Sequence, residues 1–120
     1  MKRVNPLRPW AFANVYDKLL AVAQDNGYAL ALHGSMSRDL DLIAVPWTDN
    51  ACDVKTLIEA MDEEASRWQL KPFRGIKTDL NQKNHKKPHG RVAYSIHFGS
   101  EAYIDISIMP RKVARKKVIK

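Results

Sequence analysis

A small α+β domain, with helices packed on one face of a mixed β-sheet, is the fold this sequence predicts. Three observations lead there. Two segments, residues 9–26 and about 50–68, repeat apolar residues at helical spacing. Two others, on either side of Gly99-Ser100-Glu101, alternate apolar and polar residues one by one, as half-buried strands do. The order along the chain is helix, strand, strand, helix, then two or three more strands, which suits one mixed sheet with its helices on a single side. At 120 residues the chain fits one domain with one core, residues 1–120.

Each element has a local reason. In residues 9–26, Phe12, Val15, Leu19 and Val22 recur on one helical face, and Gly27 supplies the stop. Tyr28 to His33 is a short apolar run ending at Gly34. Residues 39–45 form a second strand, with Asp39, Asp41, Ile43 and Val45 on one face and Leu40, Leu42 and Ala44 on the other; Pro46 ends it. Asp49 or Asn50 is placed to cap the next helix, with Asp53 in its first turn. Its stripe of Val54, Leu57, Ile58, Met61, Ala65 and Trp68 reads as core. Its opposite side, with Lys55, Glu59, Asp62 and Glu63, reads as a solvated face. Lys71-Pro72 breaks this helix, and residues 73–79 fit an irregular strand. Residues 81–90 lack periodicity and read as an exposed basic loop. A hairpin follows, and a three-residue turn at 99–101 sets Ser95 opposite Asp105 and His97 near Tyr103. Pro110 closes the last strand, and residues 111–120 form a basic tail.

Composition narrows the function classes. No apolar run reaches the ~18 residues that span a bilayer, and the charged start Met1-Lys2-Arg3 has no apolar stretch behind it, as a signal peptide would. A lone Cys52 precludes an internal disulfide and suits the cytoplasm; it reads as a small, half-buried residue. The formal charge is +7, unevenly spread. Residues 31–70 carry three basic and eight acidic groups, a net of −5, whereas residues 71–120 carry thirteen basic and three acidic groups, a net of +10. An acidic, cation-attracting segment thus precedes one suited to polyphosphate or nucleic acid. No Walker-type loop or Gly-x-Ser-x-Gly elbow is present.

The segment from Leu32 to Val45 carries the chemistry. Gly34-Ser35 ends one apolar run, and Asp39-Leu40-Asp41 opens the next. Aspartates two apart on a strand share a face, where their mutual repulsion makes little sense unless a cation sits between them. Gly-Ser offers N–H groups and a hydroxyl to phosphate oxygens. The bland alternatives are a solvated strand face for the acids and an ordinary strand-ending turn for Gly34-Ser35.

This pattern resembles the DNA polymerase beta-like nucleotidyltransferase superfamily, particularly its minimal members. Their signature is an apolar strand, Gly-Ser with an Arg following, then Asp-x-Asp on a second strand and a third carboxylate on a later one. Gly34, Ser35, Arg38, Asp39 and Asp41 match, and Asp105, within Tyr103-Ile104-Asp105-Ile106-Ser107-Ile108, is the best third carboxylate. The likeness spans about residues 28–109. It implies a catalytic and metal-binding set of Asp39, Asp41 and Asp105, holding Mg²⁺ (or Mn²⁺) and an NTP, ATP first among them. The implied reaction transfers a nucleoside monophosphate to a protein or RNA hydroxyl or phosphate. Gly34, Ser35 and Arg38 would face the phosphates, joined by Lys86, Lys87 and Arg91 from the basic loop and its exit. Arg38 is equally placed to pair with Asp39 or Asp41. One departure stands out: only Met36, Ser37 and Arg38 separate Ser35 from Asp39, where the family has a longer spacer that begins a short phosphate-holding helix. Larger relatives also carry a second helical domain. Its absence leaves a homodimer, a small helical partner, or a protein or RNA substrate to complete the unit. The alternative is a non-catalytic module that binds nucleic acid or regulates or inhibits a partner protein.

The histidines read more plainly. His33 is expected to be packed and hydrogen-bonded. His85, His89 and His97 match no zinc spacing and lack a thiolate partner.

Overall fold

The computed structural model describes residues 8–70, 75, 78, 87–99 and 101–111. The irregular strand expected at 73–79 (apart from Gly75 and Thr78), the loop at 81–86 with Lys86, and the tail beyond Arg111 lie outside the described residues. Two helices, α1 (Arg8–Asp25) and α2 (Val54–Arg67), lie against four strands: β1 (Tyr28–His33), β2 (Leu40–Pro46), β3 (Val92–Gly99) and β4 (Ala102–Ile108). The sheet order is β1-β2-β4-β3, antiparallel at both edges and parallel between β2 and β4. This is the mixed α+β fold that the periodicities predict.

Alternation within the strands decides which face is dry. Leu40, Leu42 and Ala44 of β2, Ile104, Ile106 and Ile108 of β4, and Ile96 and Phe98 of β3 are buried under the helices. From α1 come Phe12, Val15, Leu19 and Ala23; from α2, Leu57, Ile58, Met61 and Ala65. The Phe12 and Phe98 rings meet with centroids 5.5 Å apart, tying α1 to β3. Each such large apolar side chain contributes about 1.5–3 kcal/mol on burial, so this layer dominates stability. The opposite sheet face has no helix over it among the described residues and carries the odd-numbered residues of β2, β3 and β4.

Gly27 is the hinge of the packing. It sits at φ +85°, a left-handed conformation that ends α1 cheaply only for glycine. Its carbonyl accepts the N–H groups of Trp47 (2.8 Å) and Thr48 (3.1 Å). A Cβ there would lie 2.4 Å from Thr48 Oγ1 and 2.7 Å from the Ala51 Cα, so the loop after β2 docks directly on bare backbone.

Four expectations need correction. Asp53, not Asp49 or Asn50, caps α2: its Oδ1 accepts from Thr56 N at 2.8 Å, which holds its carboxyl below the ordinary range. Asp62 is not on a solvated face; it is 4 % exposed and its carboxylate accepts from Thr78 N at 3.3 Å. Its helical position would allow exposure, but Thr78, sixteen residues downstream, bonds to it. His33 is exposed rather than packed, because it ends an edge strand on the uncovered face. Asp39 precedes β2 instead of lying in it.

The two sheet edges differ. At the far end of β3, Leu70 N bonds Phe98 O (3.0 Å), Gln69 Nε2 bonds His97 O (2.9 Å), and His97 N bonds Thr78 Oγ1 (2.6 Å), so the outer polar groups of His97 and Phe98 are covered. On the β1 side, the Tyr16 hydroxyl donates to Leu30 O at 3.1 Å. Among the described residues no helix is long and apolar enough to cross a membrane.

Candidate functional site

Sheet register assembles the site. Asp41 of β2 is the direct partner of Asp105 on β4, and Asp105 in turn faces Ser95 on β3. On the other side Asp41 faces His33 of β1. The result is one polar row, His33, Asp41, Asp105 and Ser95, running across all four strands on the uncovered face. Neighbouring strands are about 4.8 Å apart, so two carboxylates stand side by side. Both residues precede an apolar position that anchors the strand beneath, Leu42 and Ile106, which fixes their side chains outward.

Asp105 is the most perturbed member. Half-burial raises its carboxyl above the usual aspartate range, and the negative charges of Asp39 and Asp41 push it further the same way. A 2.6 Å hydrogen bond donated by Ser95 Oγ to Asp105 Oδ1 opposes that rise. Ser95 therefore orients one oxygen of Asp105 within the row.

Asp39 stands at the mouth of β2. Its Oδ1 accepts from the Tyr103 backbone N–H at 3.1 Å, which ties the loop before β2 to the start of β4. Its charge reaches Asp105, yet among the described residues no three His, Cys, Asp or Glu side chains close on a single point. The arrangement is a carboxylate pair with a third acid beside it. Such a set fits Mg²⁺ better than a full protein cage would, since Mg²⁺ keeps several waters and takes only one or two carboxylates together with substrate phosphates.

Gly34 makes room for this pair. At φ +85° its missing side chain faces Asp41; a Cβ would lie 2.8 Å from Asp41 Oδ2. Ser35 Oγ is 2.6 Å from Ser37 Oγ and accepts from Ser37 N at 3.3 Å, so the hydroxyl is turned back onto its own loop. Met36, at φ +60°, packs partly on the core and pulls the loop tight. No helix starts between Ser35 and Asp39. Arg38 is exposed on the same loop.

The basic residues expected to join the acids are distributed differently. Arg91 reaches back along the open face to donate from Nη1 to Ser107 Oγ at 2.8 Å, two residues along β4 from Asp105. Lys87 is exposed in the tight turn closed by Lys87 N to Arg91 O, 2.9 Å. That turn leads into Val92, the partner of Ile108, so it sits where β4 ends, whereas Asp39 sits where β4 begins. Lys86 is outside the described residues. The fold thus gathers Gly34, Asp39, Asp41 and Asp105 and sets Lys87 at the far end of the sheet.

One feature there was not anticipated. A depression of about 370 Å³ is lined by Pro46, Trp47, Thr48, Asp49, Ala51, Pro110 and Arg111. The one early signal is Trp47, a large apolar residue directly after a strand-ending proline in a polar turn. Comparison with protein-family models, with curated proteins and with solved structures finds no match to this chain.

Proposed function

We propose that this domain is a minimal nucleotidyltransferase. Asp41 and Asp105, with Asp39 beside them, hold Mg²⁺ or Mn²⁺ together with the phosphates of an NTP, most simply ATP. The observation that carries the reading is the register of Asp41 against Asp105 over the bare Gly34. Two adjacent carboxylates are unfavourable by themselves; a cation turns that cost into affinity. When bound, the ion would neutralise charge on the phosphates and the departing pyrophosphate. In the proposed reaction an acceptor hydroxyl oxygen bonds to the α-phosphorus, the bond to the pyrophosphate oxygen breaks, and the hydroxyl proton passes to a carboxylate. Asp105, one of whose oxygens is oriented by Ser95, is the candidate for that last role. The acceptor class we favour is a hydroxyl or phosphate on protein or RNA, with a second copy or a small helical partner contributing to the acceptor surface.

One observation favours a second reading, that of a non-catalytic module of the same fold. The loop from Ser35 to Asp39 is short, begins no helix, and spends the Ser35 hydroxyl on Ser37. ATP labelled at the α-phosphate separates the two. An enzyme transfers label to an acceptor in a lysate, dependent on Mg²⁺ or Mn²⁺, and the Asp39→Ala/Asp41→Ala variant does not. Absence of label with every nucleotide, from a folded wild type that binds the metal nucleotide, would establish the binding module.

A further inference from the structure

The end of the sheet remote from the carboxylates carries its own recognition surface. Trp47 is six residues beyond Asp41, which places it about 20 Å away at ordinary strand rise. Its indole is 77 % exposed at the edge of the 370 Å³ depression. An indole that exposed gains little by burial in the fold, so stability does not explain it. The opposite wall is Pro110 and Arg111. Arg111 is held in place by a 3.1 Å bond from Nη1 to Ala51 O, which leaves its other guanidinium donors to face outward or along the depression. Pro110 also abuts the turn at Gly90, where a Cβ would come within 3.6 Å of its Cγ. Lys87 is exposed in that turn and adds a second cationic residue toward this end, whereas the Arg91 side chain turns back to Ser107. The sequence directly after Arg111 adds Lys112, Arg115, Lys116, Lys117 and Lys120 and no acid.

We infer that this depression binds an unpaired nucleobase of a single-stranded nucleic acid, stacked on Trp47, with the flanking phosphates held by Arg111 and Lys87. A flat aromatic surface with cationic side chains near it is the combination that single strands require: bases stack, and the backbone follows the charge. Asp49 and Thr48 fit this occupant better than a bare polyanion. A carboxylate in the lining repels phosphate but accepts from the exocyclic amino group of cytosine or adenine. The inference goes beyond the nucleotidyl-transfer reading and does not depend on it, since nothing in it involves Asp41 or Asp105.

The test uses the full chain and short fluorescein-labelled single strands of RNA and of DNA, followed by anisotropy in EDTA without nucleotide. Loss of one base stack weakens binding about fivefold to a hundredfold. Trp47→Ala should fall in that range, and Trp47→Phe should recover much of the loss. Trp10→Ala is the control, because Trp10 is 73 % exposed on α1 and should change binding less than twofold. Arg111→Lys keeps the charge, while Arg111→Gln should lower the salt dependence by about 0.7 in log K against log salt, as for one phosphate. Because the assay contains neither metal nor nucleotide, failure here and failure of the transfer reading are separable. The inference is overturned if Trp47→Ala, folded by circular dichroism, binds like wild type. It is equally overturned if an abasic strand or polyglutamate competes as well as the base-bearing strand, which would mark the surface as one for acidic polymers.

Discussion

The two ends of the central β2–β4 pair are built from similar strands and carry opposite chemistry. Toward the start of β2, Asp41 stands beside Asp105 and over bare Gly34, and the charges of Asp39 and Asp41 act on Asp105. Where they end, Trp47, Asp49, Pro110 and Arg111 line a depression near the turn that carries Lys87. Apolar residues of the same strands, Leu42 and Ala44 against Ile106 and Ile108, fill the space between and keep the two ends in fixed relation. The uneven charge of the sequence is therefore resolved along the strands. Parallel pairing of β2 with β4 makes this possible, because it brings both strand starts to one end and both strand exits to the other.

The largest expected effect breaks the acid end. Asp41→Asn removes one of two adjacent charges. Charge stabilisation of several kcal/mol then disappears from the transition state, or about a thousandfold in label transfer. The fold should survive, because the substitution also relieves repulsion with Asp105. A variant that transfers at more than a tenth of the wild-type rate would contradict this.

Glycine substitution compares the ends directly in stability. At Gly27 an added Cβ meets the Ala51 backbone as well as Thr48, and the backbone cannot swing aside. Positive φ and overpacking together predict a loss of about 3 kcal/mol for Gly27→Ala in urea unfolding. At Gly34 the obstacle is only the tip of Asp41, a side chain that can turn. Gly34→Ala should cost about 1–2 kcal/mol, mostly from backbone conformation. In an Asp41→Ala background that cost should drop by about 0.5–1 kcal/mol, since the clash partner is gone. Equal losses at Gly27 and Gly34, with no coupling to Asp41, would show that Gly34 does not serve the carboxylate.

The smallest effect is a pH dependence. Asp105 holds its proton to a higher pH when folded than when unfolded. Its contribution is therefore fully present below the unfolded aspartate pKa and is lost as pH rises through the raised native value. Over that window wild type should lose stability relative to Asp105→Asn, and saturating Mg²⁺ should shrink the difference. Denaturant midpoints at a series of pH values measure it; parallel curves would mean that Asp105 feels no net repulsion.

Much of this arrangement was legible in the sequence, for identifiable reasons. Strict alternation on both sides of Gly99-Ser100-Glu101 and a short turn leave one register that keeps Ile96, Phe98, Ile104 and Ile106 buried, and Ser95 opposite Asp105 follows from it. The stripes of α1 and α2 were equally plain, except at Trp68, which ends the α2 stripe exposed instead of joining the core. What escaped depended on contacts distant in the chain. Asp62 sits among acidic neighbours on α2, and only Thr78 explains its burial. The depression joins residues 46–51 with 110–111, and no local periodicity encodes that meeting. Asp39 was assigned to the strand by spacing alone; its carboxylate's bond to Tyr103 N holds it at the mouth of β2. Lys87 was grouped with the acids by charge complementarity, which does not report which end of a strand a turn will occupy.

The most direct measurement is a Mn²⁺ water-relaxation titration of wild type, Asp41→Asn and Asp105→Asn, each with and without a non-hydrolysable ATP analogue. If the acid end is a cation and phosphate site, wild type should bind Mn²⁺ and bind it more tightly with the analogue present. Both variants should lose most of that binding while remaining folded. If all three proteins give the same weak, analogue-independent response, the carboxylate pair is not a metal–nucleotide site, and the transfer reading falls with it.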